Sequence, residues 1–570
     1  MIILGISCYY HDSSVCIVKD GRIIAVTAEE RFTRKKHDNG FPSNALGFCL
    51  DSLGVNINEV DVVSFYEKPI LKFDRVLDQH IRCFPRSFKM FARTIPEWLK
   101  DRLGIRKKLK KMGYKGKVFF VEHHLSHAAA SFYASSFKKA DILTIDGVGE
   151  WATTTKGFGD GLKINLTDQI NFPHSLGLFY STMTAYLGFR VNNGEYKVMG
   201  LAAYGEANVY REKISKLINL ESDGGYSLDM KYFSYEYKDK MVSKKLCDLL
   251  GGEVRKADSK VLERHKNIAA SVQELLEKVI FGMLVKMHKE RSCPNLVLSG
   301  GVALNSVVNG KIINNTPYKK LFITPDPGDG GGSLGSALYT YAHLEKKRPV
   351  IKNLVYLGPD FSKFDIEGIL ERYSLDIDYE CFSSERELIE KTVNLILKNK
   401  VIGWFQGRME WGPRALGNRS ILAQATSLKM KDIVNLKVKK RESFRPFAPV
   451  ILEEYVKDYF EINGELSKST DYMLMVYPVK EEVKKKIPAI VHVDGTGRLQ
   501  TIREESNFLY YNLVKSYYKK TGIPVLLNTS FNIRGEPIVC TPKDAVKCFL
   551  GTGIDYLVIG NYLVKKRKNV

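Results

Sequence analysis

The amino-acid sequence predicts an α/β protein in two parts: a duplicated β-β-β-α body with a cleft between its halves, then a second α/β domain. Three observations lead there. Residues 2–8, 14–19 and 22–27 read as three short strands, the last two joined by the hairpin turn Lys19-Asp20-Gly21-Arg22. Residues 142–146, 151–158 and 162–169 form a second triplet, turning at Gly159-Asp160-Gly161. Each triplet opens on an apolar strand that runs into a polar, small-residue turn, and helical sequence follows each one, as in a duplicated plan. The third observation is a composition shift at 348–352 and Tyr356-Leu357-Gly358-Pro359, which divides the chain into domains 1–355 and 356–570.

Taken in order, the elements support that division. Residues 2–8 are apolar but carry no basic flank, and His11-Asp12 soon interrupts them, so they read as a strand rather than a signal peptide. The stretch 68–117 is strongly basic, notably Arg106-Lys107-Lys108-Leu109-Lys110-Lys111, and reads as a solvated helical face, with a nucleic-acid or acidic-carrier patch as the alternative. Glu122-His123-His124-Leu125-Ser126-His127 then leads into an alanine-rich helix through Ala128, Ala129, Ala130 and Ala134. Residues at i and i+4 of a helix share a face, so His123 and His127 can reach one metal ion. His124 stands at i+3 from His127 and competes for the first place. Asp146 ends an apolar strand before Gly147, where an acidic group commonly faces a metal or a phosphate. This topology, two β-hairpin openings flanking a cleft, is that of the actin, sugar-kinase and chaperone ATPase superfamily.

Helical, charge-rich sequence fills 260–291, and a strand at 295–298 enters Ser299-Gly300-Gly301-Val302-Ala303-Leu304-Asn305. Glycines leaving a strand permit close backbone approach to a ligand, and the next helix presents free N–H groups. A second glycine turn, Pro325-Asp326-Pro327-Gly328-Asp329-Gly330-Gly331-Gly332, precedes a helix from Ser333. Beyond the boundary, a helix at 385–398 leads to a strand at 401–405. The motif Gln406-Gly407-Arg408-Met409-Glu410-Trp411-Gly412-Pro413-Arg414-Ala415-Leu416-Gly417-Asn418-Arg419-Ser420 follows. Basic residues recur in Lys439-Lys440-Arg441-Glu442-Ser443-Phe444-Arg445-Pro446 and Asp494-Gly495-Thr496-Gly497-Arg498. A strand at 524–527 then ends in Asn528-Thr529-Ser530-Phe531-Asn532. Arginines on constrained glycine and proline loops suit bidentate binding of phosphate or carboxylate, whereas the structural alternative pairs them with Glu410 and Glu442.

Hydrophobic content of 44% and charged content of 26% are those of a globular protein, and no run of apolar residues is long enough to span a membrane. Nine cysteines lie far apart without a CxxC pair, which excludes a zinc ribbon or disulfide framework and fits a reducing cytoplasm. The net charge of +22 fits polyanions or phosphorylated substrates.

Taken together, His11-Asp12-Ser13-Ser14, Glu29-Glu30-Arg31-Phe32, Lys35-Lys36-His37-Asp38, His123-His124-Leu125-Ser126-His127, the run from Gly194 to Gly205 containing Lys197, Gly300-Gly301-Val302-Ala303-Leu304-Asn305 and the three C-terminal motifs resemble the NodU/CmcH carbamoyltransferase family over essentially the whole chain. The resemblance implies an actin/sugar-kinase-like N-terminal domain, similar to proteins that transfer threonylcarbamoyl to tRNA, and a C-terminal YrdC-like domain that forms carbamoyl-adenylate from carbamoyl phosphate and ATP. It implies metal ligands His123, His127, Asp146 and Asp329. Two imidazoles and two carboxylates suit Fe2+, with Mn2+ or Zn2+ as alternatives, and Mg2+ would accompany ATP.

By the same resemblance His11 is the general base on an acceptor hydroxyl, with Lys36 contacting substrate or phosphate. Gly147, Lys197, Gly300, Gly301 and Asn305 hold the adenylate in the N-terminal domain. Arg414, Lys439, Arg445, Arg498 and Ser530 hold ATP and carbamoyl phosphate in the C-terminal one, with Arg408, Arg419 and Arg441 orienting them. The expected partner is a small hydroxylated acceptor, with no nucleic acid and no membrane span; a homo-oligomer is left open. The alternative is a tRNA-modifying or nucleic-acid-binding protein, favoured by the net charge and the basic stretch.

Overall fold

Apolar runs near the amino terminus become buried central strands, and the rest of the first unit assembles on them. The computed structural model describes residues 1–439, 441–442 and 444–567; Lys440 and Ser443 of the basic motif lie outside the described residues. The chain forms two compact units that interleave along the sequence: Met1–Ile24, Gly40–Pro42 and Cys49–Lys352 in one, Ala25–Asn39, Ser43–Phe48 and Asn353–Val570 in the other.

In the first unit, apart from the last four residues of β3, strands β1 (Ile2–Ser7), β2 (Ser14–Lys19), β3 (Arg22–Ala28), β4 (Val62–Phe65) and β5 (Lys117–Phe120) form a sheet of order β3-β2-β1-β4-β5. A second sheet contains β6 (Lys139–Ile145), β7 (Ala152–Asp160) and β8 (Lys163–Asn171). After the two-stranded ribbon of β9 (Ile218–Leu220) and β10 (Tyr226–Leu228), β11 (Asn295–Ser299) and β12 (Lys320–Phe322) complete it in the order β12-β11-β6-β7-β8. In both sheets the first strand pairs antiparallel with its hairpin neighbour and parallel with the strand on its other side. A further parallel strand follows in each. The halves therefore share one topology, the duplicated plan of the actin and sugar-kinase fold. β1 is buried on both faces after its first residue, as a central parallel-paired strand must be, whereas β8 is largely exposed, as an edge strand can be.

Two helices join the halves. The helix Gly332–Glu345 packs on β1, β2 and β4, and the helix His123–Phe132 packs on β6 and β11; the two also pack against each other. Their approach is close enough that a Cβ at Gly335 would collide with the Ser126 carbonyl, so that position admits only glycine.

The second unit is built on nine strands. They are β13 (Ile377–Cys381), β14 (Ile402–Phe405), β15 (Arg419–Gln424), β16 (Ala448–Leu452), β17 (Met475–Pro478), β18 (Thr496–Ile502), β19 (Val525–Ser530), β20 (Tyr556–Ile559) and β21 (Tyr562–Lys566), in the order β13-β21-β20-β14-β15-β19-β16-β18-β17. Parallel and antiparallel pairs are mixed. Helices Glu385–Leu397 and Phe508–Thr521 bury Leu388, Val393, Ile396, Tyr510, Leu513 and Tyr517 against Trp404, Leu422, Val450 and Leu526 of the sheet.

Candidate functional site

In the first unit, the helical His pair sits where the two halves meet. His123 Nε2 lies 3.0 Å from Asp146 Oδ2 and 3.1 Å from His127 Nε2. Asp329 Oδ1 is 3.5 Å from His127 Nε2 and 3.7 Å from His123 Nε2. The four ligand atoms lie within 4.8 Å of one another, and all four residues are buried. Among the described residues neither oxygen of Asp329 has a hydrogen-bond partner within normal bonding geometry, nor does Nδ1 of His123 or His127. Two buried carboxylates and two imidazole nitrogens converging on one point are suited to a divalent cation.

Each ligand arrives by a local device. The backbone N–H of His123, at the start of its helix, donates to both carboxylate oxygens of Glu150 at 3.0 and 3.1 Å, which fixes that end of the helix. Asp146 leaves β6 with its other oxygen accepting from Gly301 N at 2.8 Å. That contact needs the turn at Gly300, whose φ of 90° and close approach to Ile145 exclude a side chain. Asp329 is brought in by the first hairpin: Ser7 Oγ donates to its carbonyl at 2.8 Å, and Ser14 Oγ donates to Gly330 O at 2.6 Å.

His11 stands on that hairpin between Tyr9 (φ 76°) and Asp12 (φ 52°), both in the left-handed region where non-glycine residues are strained. Its Nδ1 meets Asp12 Oδ2 at 2.9 Å and its Nε2 lies 3.8 Å from Asp329 Oδ2. Burial disfavours the imidazolium, but the carboxylates of Asp329, Asp12 and Asp146 outweigh it and push His11 up to about 10. The same contest raises His123, which burial would lower but Asp329 and Asp146 hold charged. Asp146 is driven well below the usual carboxylate range by His123 and His127 in spite of its burial.

His124 is not part of the quartet. Its Nδ1 pairs with Thr144 Oγ1 at 2.6 Å and its Nε2 with the Ala152 carbonyl at 2.9 Å. Burial and the neighbouring histidines push it down to about 3, so it stays neutral. Among the adenylate candidates, Gly301 bonds Asp146 as above, and Gly147 accepts from Ser175 Oγ at 2.7 Å. Asn305 caps the next helix through Val308 N at 3.1 Å and exchanges hydrogen bonds with Gln273. Lys197 is half-buried with its ammonium 5.3 Å from the centre of the Phe189 ring.

The second unit carries the opposite electrostatics. Lys439 is buried, and its ammonium donates to Asn532 Oδ1 at 2.8 Å, to Asn532 O at 3.1 Å, to Ser530 Oγ at 3.2 Å and to the Ser530 carbonyl. Burial, then Arg441, Arg445 and Lys36, push it well below the usual lysine range. Arg498 is lowered in the same way by burial and then by Arg414, Arg441 and Arg445, and its buried Nε has no hydrogen-bond partner among the described residues. Six cations thus crowd one place, with Glu442 bridging Arg445 at 3.7 Å and Arg534 at 3.5 Å. Such crowding is an arrangement that a polyanion could neutralise.

The other two arginines of the motif are structural. Arg419, fully buried, donates to the carbonyls of Asn418, Gly407, Pro359 and Gln406 and stacks on Phe405. Arg408 donates to Leu357 O and Gly358 O at 2.8 and 3.2 Å. Glu410 accepts from the backbone N–H groups of Leu416, Asn418 and Arg419 and shapes the loop that carries Arg414.

Several groups escaped the sequence reading. Tyr10 lies with its ring 4.7 Å from that of His11 and with the Lys72 ammonium 4.9 Å above it. Lys72 itself is buried and paired with Glu67 at 2.5 Å. Glu150 and Asp12 orient His123 and His11. Only Asp12 carried a signal, its place next to His11 in one motif. Lys36, grouped in sequence with the catalytic residues, lies in the second unit.

The family model described as carbamoyltransferase N-terminus matches residues 2–338, and that described as carbamoyltransferase C-terminus matches residues 393–566. An uncharacterized protein of Synechocystis sp. is 43% identical over 99% of this chain and 96% of its own length. The nodulation protein NolNO of Sinorhizobium fredii is 36% identical over 98% of this chain and 79% of its own length. The nodulation protein NolO of Bradyrhizobium diazoefficiens is 37% identical over 78% of this chain and 79% of its own.

Proposed function

The chain belongs to the carbamoyltransferase family, and from that premise we propose that it is an ATP-dependent O-carbamoyltransferase whose two units divide the reaction. Residues 356–570 form the adenylate and residues 1–355 transfer the carbamoyl group to a hydroxyl of a small molecule. The observation that carries the reading is the convergence of His123, His127, Asp146 and Asp329 in one buried cluster.

In the second unit Arg414, Arg445, Arg498 and Lys439 neutralise carbamoyl phosphate and the ATP phosphates, so that two anions can approach. Water cleaves carbamoyl phosphate to carbamate and phosphate. A carbamate oxygen then attacks the α-phosphorus of ATP and pyrophosphate leaves, giving carbamoyl-adenylate. Adenylation is needed because carbamate alone is a poor electrophile.

In the first unit His123, His127, Asp146 and Asp329 would hold Fe2+, Mn2+ or Zn2+, which supplies Lewis-acid polarisation of the carbamoyl carbonyl. The glycine turn at Gly300 and Gly301 lets the backbone come close to the adenylate. The acceptor oxygen attacks the carbamoyl carbon, AMP leaves, and the hydroxyl proton passes to His11 Nε2. With Asp329 and Asp146 unneutralised His11 holds its proton near neutral pH. It works as a base only when their charge is balanced, which ties proton transfer to a loaded site.

The test uses labelled carbamoyl phosphate. Carbamoyl-phosphate-dependent ATP–pyrophosphate exchange should survive His123→Ala and be unaffected by added tRNA, while transfer of label to a hydroxylated acceptor is lost. Loss of both steps in that variant would contradict the division of labour, and dependence on tRNA would favour nucleic-acid modification.

A further inference from the structure

We propose that the tip formed by the helices Pro69–Arg82 and Phe88–Glu97 docks on an anionic lipid surface. At this tip of the first unit Ile81, Phe84 and Phe88 are 74%, 69% and 59% exposed, and Ile70 and Leu99 are also largely exposed. Single exposed apolar residues are ordinary, but several large ones on one short stretch mark an interaction surface. Exposed Arg82, Arg86 and Lys89 stand between them in the sequence.

Over residues 68–117 there are sixteen lysines and arginines against four acidic residues. The following helix, Ile105–Lys111, buries Ile105 and Leu109 and turns Arg106, Lys107, Lys108, Lys110 and Lys111 outward. Apolar side chains among cations are the pattern of an element lying in the headgroup layer: the rings enter the acyl boundary and the cations meet phosphate and carboxylate headgroups.

The tip is also built to stay in place. Arg86 stacks on the Tyr237 ring at 4.4 Å, Arg93 pairs with Asp239 at 2.5 Å, and Gln79 donates to the Glu236 carbonyl at 2.8 Å. The buried face of the first helix carries Lys72 and Arg75, which reach Tyr10 and the Glu150 carbonyl, so one helix joins the exposed tip to the wall of the metal-type site.

Charge complementarity selects this occupant over two others. A second copy docked symmetrically would set like charges face to face. A nucleic-acid backbone would match the cations but leave Ile70 and Ile81 in water.

The experiment is flotation of the full chain with phosphatidylcholine vesicles with and without phosphatidylserine, at low and raised salt. Binding is expected only with phosphatidylserine, weakened by salt. Phe84→Ser with Phe88→Ser should lower the bound fraction about tenfold, and Lys89→Glu with Lys107→Glu should lower it comparably. These positions are exposed, so ATP–pyrophosphate exchange should be unchanged in both variants and reports that they are folded. Absence of flotation, equal binding to neutral vesicles, wild-type binding by the Phe variant, or self-association lost in that variant would each overturn the proposal. Because exchange is read in the same samples, failure to float with exchange intact sinks the surface alone, whereas absent exchange in the wild type sinks the reaction.

Discussion

The two candidate sites are electrostatic opposites. In the first unit two buried carboxylates face two imidazoles, and among the described residues Asp329 makes no hydrogen bond through either oxygen. In the second, Lys439 and Arg498 are held below their usual ranges by burial and by other cations. The first arrangement could hold a cation, and the second is suited to anions. Paired charges elsewhere, such as Lys72 with Glu67, need nothing further. A buried cluster of several titratable groups is therefore a better pointer to a ligand than an isolated buried ion pair, since a satisfied pair is often only structural.

The sharpest way to break this comparison is reciprocal substitution. His127→Ala should abolish transfer and weaken divalent-metal affinity at least about a hundredfold while leaving exchange intact. Arg445→Ala should lower exchange about a hundredfold or more and leave metal binding unchanged. Metal content and exchange rate, measured on both variants, decide it; two variants that lose the same activity would end the contrast.

A smaller effect separates stability from function. Asp329→Asn removes the carboxylate that holds His11 and His123 charged, so the metal-free variant should melt below the metal-free wild type, by about 1–2 kcal/mol. A chelator should lower the wild-type melting temperature and leave the variant where it was.

The mirror experiment is Arg498→Met. Relief of repulsion by Arg414, Arg441 and Arg445 should stabilise the ligand-free protein by about 1 kcal/mol. Pyrophosphate should raise the wild-type melting temperature and barely move that of the variant.

The smallest effect is in protons. Lys439 is lowered in the free protein, and a bound anion would raise it again, so anion binding takes up a fraction of a proton between the two values. Affinity for pyrophosphate should therefore fall as pH rises through the pKa of the complex. Calorimetry in buffers of different ionisation enthalpy reads this directly, and proton release on binding would refute the sign.

The sequence by itself determined the features that a few neighbouring residues can fix. Both strand triplets, the helix after Glu122 and the glycine turns at 299–305 and 325–332 follow from periods and turn residues read within a short window. The spacing of His123 and His127 likewise placed two imidazoles on one helix face. Tertiary structure decided what distant pieces do together. Thr144 and the Ala152 carbonyl occupy His124 and leave His123 for Asp146. Two serines of the first hairpin hold the turn that delivers Asp329. Arg408 and Arg419 bond carbonyls while Arg414, Arg441 and Arg498 crowd one another, and nothing in the spacing of identical side chains tells these apart. Lys36 joins the second unit although it lies near the start of the chain. Helix and strand periods depend on neighbours in sequence, whereas which polar group faces which is settled by how apolar faces pack and which donors that packing leaves nearby.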